Sequence, residues 1–375
     1  MDFGFSEEQE QLRRTVQDYL ARELPLTFTR AMMDDETGFT EKAWRGISEL
    51  GWLGLTIPER FGGSGLGVLD LAIVIEAAGA VVMPGPFVST VGLGVPALLA
   101  TATETQSAAW LPGIAAGTSR VTCAIAERAG RWSGDAIAAT ATREGSRYLL
   151  AGEKLFVPDA RSADAVVVVA RLDDGLGFFC VDTGSAGLTI EPMTTVDRTR
   201  RLDVVTLDGV RVESSRLLGE RAMDAAVLDS VIDVAKVVLA AEMAGAAERA
   251  LEMTVEYTKM REQFGRAIAS FQSIQHRCAD MKVDVENSRS LVYYAAWAAD
   301  AGAADKRLAA AMAKGYASQS CPRVVADAVQ LHGGIGFTWE HDLHIFFKRV
   351  KADEATYGDS VANRELVVSF LELVR

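Results

Sequence analysis

Cysteine is scarce in this chain: four in 375 residues, Cys123, Cys180, Cys278 and Cys321, far apart and with no CxxC pair. That excludes a disulfide framework and fits a reducing, cytoplasmic setting. The start, MDFGFSEEQEQLRR, lacks the basic and apolar regions of a secretory signal. There is no dense Lys/Arg run, and the net charge is −13, so nucleic acid is repelled rather than bound. There is no GxSxG elbow and no Walker loop. His341 and His344 are three residues apart but have only Glu340 and Asp342 beside them, so no metal site is expected.

Charge is absent altogether from Ala77 to Thr103. This run exceeds the ~20 residues of a membrane helix. Pro84, Pro86 and Pro96, with Gly85, Gly92 and Gly94, break it, and it reads as buried helix, loop, buried helix rather than a span.

What is present sorts into three regions. Ser6 with Gln9 is a capping box, and Leu12, Val16 and Leu20 follow on one helical face. A second helix carries Trp44, Ile47, Leu50 and Leu53, and PERFGGSGLG ends it as a turn, its glycine spacing not being GxGxxG. From about residue 120 short β-branched and aromatic runs take over: RYLLAGEKLFV, ADAVVVVARL, LGFFCVD and DVVTLDGVRV. From about Leu218 the pattern is helical again, in four long segments, the third with a place for a bend at Pro322 and the last reading DSVANRELVVSFLELV. The fold class expected is α+β: an N-terminal helical domain (1–119), a β-domain of barrel or sandwich type (120–218) and a C-terminal four-helix bundle (219–375).

Two segments place glycines and aromatics at helix ends, REQFGRAIASFQSIQH and QLHGGIGF. Such ends let a ligand approach the backbone closely. With FSEEQEQLRRTVQDYL, PERFGGSGLG and AGEKLFVPDARSADAVVVVAR, in this order, they make nearly the whole chain resemble the acyl-CoA dehydrogenase family of flavoproteins. The three-region order is also that family's.

The resemblance implies FAD as cofactor and acyl-CoA as substrate. It assigns Arg261, Phe264 and Gln272 to the flavin of a neighbouring subunit, and Gln330, Gly333 and Gly334 to the diphosphate and adenosine end. It therefore implies an oligomer, and an electron-transfer flavoprotein or similar acceptor. In the β-domain it places Cys123, Ile125 and Ala126 at backbone-contact positions, with Phe156, Val157 and Pro158 where the family usually has Trp-Ile-Thr. Trp132 falls where the acyl chain would enter, and Asp233, Lys236 and Tyr357 fall in substrate-binding positions.

In the family reaction a carboxylate takes the α-proton of the thioester while the flavin accepts a hydride from the β-carbon. The resemblance puts the usual base at Tyr357 in TYGDSVANR, and its alternative at Ala235. Neither is a carboxylate. Two remain as candidate catalytic bases: Glu242, two helical turns past Ala235 in an apolar run, and Asp359, next to the first position. The expected function is an FAD-dependent acyl-CoA dehydrogenase introducing an α,β double bond into an acyl-CoA. The alternative is a non-catalytic FAD-binding partner subunit of a hetero-oligomer, for example one acting on steroid side chains. A flavin oxidase on the same scaffold is a third reading.

Overall fold

The structure is a computed structural model that describes residues 4–371; the outermost residues of the expected helical domain and bundle, 1–3 and 372–375, lie outside the described residues. Helices α1 (Glu7–Glu23), α2 (Leu26–Met33), α3 (Glu41–Glu49) and α4 (Val68–Ala80) come first. Next, α5 (Phe87–Ser89) runs through a π-helical turn at Thr90–Gly94 into α6 (Val95–Thr101), and α7 (Glu104–Ala115) follows. Seven strands succeed them: β1 (Val121–Ala124), β2 (Thr140–Glu144), β3 (Arg147–Pro158), β4 (Ala165–Leu172), β5 (Gly175–Asp182), β6 (Leu188–Pro192) and β7 (Leu202–Glu213). Then α8 (Ala225–Met260) leads through a small hairpin, β8 (Glu262–Gln263) and β9 (Arg266–Ala267), to α9 (Gln272–Asp300). The chain closes with α10 (Lys306–His332), α11 (Leu343–Ala355) and α12 (Ser360–Phe370).

The chain divides into two compact units. Among the described residues the first holds the chain up to Ala31, Val68–Met83 and everything from Lys236 on. Its first helix begins with the expected capping box: Ser6 accepts from the Gln9 amide and Gln9 from that of Ser6. Val16 and Leu20 are buried. The α4 N-terminus is capped from afar, the Asp300 carboxylate accepting from the amides of Val68 (2.6 Å) and Leu69 (2.9 Å). Helices α4 and α8 cross with their backbones in contact. A Cβ on Gly79 would lie 2.1 Å from the Glu242 carbonyl oxygen, and one on Gly245 would lie 1.8 Å from that of Glu76. Pro322 does not interrupt α10. The last expected helix is short, α12 ending at Phe370, and α11 stands before it as a separate element.

The second unit holds Met32–Gly67 and Pro84–Ala235. Trp44 and Ile47 are buried on α3, and the Trp44 indole donates to the Gly117 carbonyl (2.8 Å). Leu50, expected on the same buried face, is the C-cap of α3 and lies exposed, because the helix ends at Glu49. Leu53 is buried in a following 3-10 turn. The β-region is one seven-stranded mixed sheet ordered β1-β4-β2-β3-β7-β6, with β5 antiparallel to β4. Its β4 runs parallel to β1, Val121 opposite Ala165, and touches β2 only at Thr140 and Arg171. The VVVV run of β4 and the FF pair of β5 are fully buried, as β-branched and aromatic runs are at the centre of a sheet. Val166, Val168, Phe179, Leu150, Val205 and Val210 form the heart of its core. Among the described residues no helix is long and apolar enough to cross a membrane.

The crossing yields a prediction. Gly245→Ala puts a methyl group against the Glu76 carbonyl, where only backbone movement makes room. Overpacking of this kind costs about 1–3 kcal/mol, so urea unfolding of the variant should show a lower midpoint with an unchanged slope.

Candidate functional site

In the second unit the expected flavin-wall residues gather at the end of β1. Cys123, Ile125 and Ala126 are all buried. Burial pushes the Cys123 thiol up to about 12, so it packs as an inert apolar group. The loop from Ala126 to Ala139 is fixed by a buried pair that sequence reasoning missed. Lys154, fully buried, donates to Glu127 (2.6 Å) and to the Ile125 carbonyl (3.2 Å). The Glu127 carboxylate also accepts from the amides of Ala138 (2.8 Å) and Ala139 (3.0 Å). Burial by itself raises the Glu127 carboxyl, but Lys154 and the two amides outweigh it and hold it below the usual carboxylate range. Burial is the larger influence on Lys154 and brings its ammonium below the ordinary lysine value. Trp132 is half-buried in this loop.

Phe156 stands at a register shift of β3 between Lys154 and Val157, with φ at +55°. A bulge re-aims a side chain, and the Phe156 ring is 41% exposed. Pro158, half-buried, ends the strand opposite Leu202.

In the first unit, Arg261, Phe264 and Gln272 are exposed where α8 passes into α9. Phe264 and Gly265 form the tip of the β8–β9 hairpin, both with positive φ, +55° and +79°. That suits a two-residue turn and leaves the Phe264 ring 91% exposed. Gln330, Gly333 and Gly334 are exposed at the end of α10, and no atom lies within 4 Å of where a Cβ on either glycine would be. The two groups share one end of the bundle, since Tyr257 stacks on His332 with ring centroids 4.3 Å apart. That end of the bundle therefore exposes a guanidinium, a ring and two open backbone positions. Among the described residues no three His, Cys, Asp or Glu side chains group as metal ligands.

The two candidate bases have other employment. Glu242 is fully buried and ion-paired to Arg349, itself 1% exposed, which also donates to the Met83 carbonyl (3.3 Å). The carboxylate in that apolar run exists because a guanidinium meets it there, which argues against a base free to take a substrate proton. Asp359 is exposed and caps α12, its carboxylate accepting from the Ala362 amide (2.9 Å). The turn before it is tight, with Tyr357 buried at φ +57° and Gly358 at +90°. On α8, Lys236 is buried and Asp233 half-buried one turn away; Ala235 is buried between them. Three of the six non-glycine residues with positive φ among the described residues are therefore Phe156, Phe264 and Tyr357. Strained backbone of this kind gathers at functional positions. Sequence reasoning also missed Arg349 and Lys314. A cation at a core-facing position of an apolar helix was the signal available for both.

Comparison with known proteins gives the family and the fold. Family models for the acyl-CoA dehydrogenase N-terminal and C-terminal domains match residues 6–118 and 225–371. Acyl-CoA dehydrogenase IpdE2 of Mycobacterium tuberculosis is 35% identical over 92% of this chain and 91% of its own length. The ChsE4–ChsE5 complex from Mycobacterium tuberculosis superposes with a TM-score of 0.91 at 28% identity, covering 100% of both chains. A variant of the Tcur3481–Tcur3483 steroid ACAD gives 0.87 at 33% identity, covering 97% of this chain and 98% of that one.

The Lys154–Glu127 pair can be tested directly. Lys154→Met leaves a buried carboxylate without its cation, which costs about 3–5 kcal/mol. Glu127 has a depressed folded pKa, so its contribution is present above the unfolded value and lost as pH falls through the folded one. Without Lys154 the folded carboxyl protonates more readily, which relieves the buried charge, so chemical denaturation across pH 3–7 should show the variant weaker at neutral pH and its deficit against wild type shrinking as pH falls.

Proposed function

Since this chain belongs to the acyl-CoA dehydrogenase family, we propose that it is an FAD-binding subunit of a hetero-oligomeric acyl-CoA dehydrogenase, and that the base taking the α-proton comes from a second, related chain. One observation carries this reading: neither expected base position holds a carboxylate, and both remaining candidates are used by the fold, Glu242 by Arg349 and Asp359 by the α12 cap. The two-component makeup of the similar ChsE4–ChsE5 complex supports it.

When bound, FAD supplies the two-electron acceptor for dehydrogenation between the α and β carbons. The chain's own part is to bind and orient. Arg261, Phe264 and Gln272 would reach the FAD of a neighbouring subunit, the guanidinium pairing with phosphate oxygens, and Gln330, Gly333 and Gly334 would offer close backbone approach at the diphosphate and adenosine end. Cys123, Ile125 and Ala126 would offer backbone groups to the ring system, and Phe156 and Pro158 would wall it. Pro158 has no side-chain donor, so ring reactivity is tuned without the hydroxyl that the family's Thr provides. Trp132, Asp233, Lys236 and Tyr357 meet the acyl-CoA, and a bulky acyl group such as a steroid side chain is the substrate class. An electron-transfer flavoprotein or similar acceptor would take up the two electrons.

The test is anaerobic flavin bleaching by a panel of acyl-CoAs, with the chain purified alone and co-expressed with a second acyl-CoA dehydrogenase-like chain. The expected result is bleaching by the pair only. Bleaching by the chain alone, slowed ~10²–10⁴-fold by Glu242→Gln, would overturn this reading and restore a self-sufficient dehydrogenase with Glu242 as base. Separately, Arg261→Ala should weaken FAD retention roughly 10- to 100-fold, the worth of a charge-assisted hydrogen bond; equilibrium dialysis of the flavin measures it.

A further inference from the structure

Lys314 lies in the middle of α10, fully buried in the alanine-rich stretch AAAMAKGYAS. Its Nζ donates to Ser318 Oγ (2.7 Å) one turn on, to the Glu354 carbonyl (3.1 Å) near the end of α11, and to the Gly358 carbonyl (2.8 Å) in the turn that opens α12. An ammonium has three protons to give, and here each has an acceptor. The same turn is gripped from its other side. Asn363 Nδ2 donates to the carbonyls of Gly358 (2.8 Å) and Asp359 (3.0 Å). Between these two grips sits Tyr357, buried and at φ +57°, a conformation that a bulky L residue keeps only where its surroundings impose it. A buried cation ordinarily answers a carboxylate. Two of the three acceptors of this one are main-chain carbonyls flanking Tyr357.

We propose that Lys314 is a positioning residue of the acyl site: its ammonium holds the Tyr357–Gly358 backbone in the left-handed turn that directs the Tyr357 side chain. The consequence for function rests on the reading of Tyr357 as a substrate-binding residue; the grip on the turn does not. Four charged groups face the ammonium besides its hydrogen-bond partners. Asp353 and Glu354 of α11 and Asp359 of the turn favour its charge, and Lys236 of α8 opposes it. Burial is the largest influence and brings Lys314 down to about 8.

This sets two pH dependences of opposite sign. Above about 8 the amine is neutral, and its bonds to the two carbonyls lose the strength that charge lends them. The turn loosens. The unfolded chain, with a lysine of ordinary pKa near ~10.4, then binds more protons than the folded one. The Lys314 contribution to global stability therefore rises with pH in the same window. A buried lysine with no hold on the turn would produce the second effect but not the first, so the turn is what is followed.

The experiment is hydrogen exchange of the amides of residues 358–363, corrected for intrinsic rates, at pH 7 and 9, in the purified flavoprotein. Wild type, Lys314→Met and Lys314→Gln are compared. Binding of butyryl-CoA and cholyl-CoA is followed by the flavin absorbance, and FAD per chain is measured in parallel. Lys314→Met should exchange roughly 10- to 100-fold faster in this segment and bind the thioesters more weakly by a similar factor, with FAD per chain unchanged. Wild-type protection should fall between pH 7 and 9, and Lys314→Gln, which keeps two donors without the charge, should lie between the other two and be flat with pH. Equal exchange in all three proteins, or a flat wild-type profile, overturns the proposal. The wild-type profile alone decides the matter if the variants do not fold. If the turn loosens without Lys314 but wild type binds no acyl-CoA, the grip stands and the acyl-site reading is what fails.

Discussion

The contact between the backbones of α4 and α8 governs the helical unit. Gly79 meets the Glu242 carbonyl and Gly245 meets that of Glu76, so each glycine faces a residue whose side chain is a carboxylate. Both carboxylates are buried, and a buried carboxylate needs a cation. Arg349 comes from α11 to Glu242. Arg289 comes from α9 to Glu76 (2.8 Å), and the Tyr293 hydroxyl donates to the same carboxylate (2.5 Å). One backbone crossing thereby fixes where two other helices must lie.

In this frame the two carboxylates weighed as bases are taken up by the fold. The acidic residues left in the region serve architecture: Glu242 neutralises a guanidinium and Asp359 starts a helix. Two cations are also held inside, Lys154 and Lys314, both wholly buried and both donating to main-chain carbonyls.

Much of this was legible in the sequence. Periodicity gave the helices, the VVVV and FF runs marked the buried strands, and the Ser6–Gln9 box placed the first helix start. What failed did so for identifiable reasons. The partner of Glu242 lies 107 residues away, and an apolar run around a carboxylate says that it is buried but not what it meets. Lys154 escaped because two register shifts, at Leu150/Gly152 and Lys154/Val157, break the alternation of β3, so its inward direction could not be counted off. Asp359 was readable: an Asp directly before a helical run is first of all an N-cap, and a local rule should have outranked its nearness to the base position. Leu50 was misplaced because α3 ends one residue before it.

The thiols of this chain have a use that follows from where they are held. Cys123, Cys180 and Cys321 are buried, each with its pKa raised to about 12, so almost none of their sulfur is thiolate at neutral pH and none faces solvent. Cys278, half-exposed on the second turn of α9, is left as the accessible sulfur. A maleimide dye or spin label added to the natural sequence would therefore report from a single point, a few residues from Gln272, without any cysteine having to be removed first.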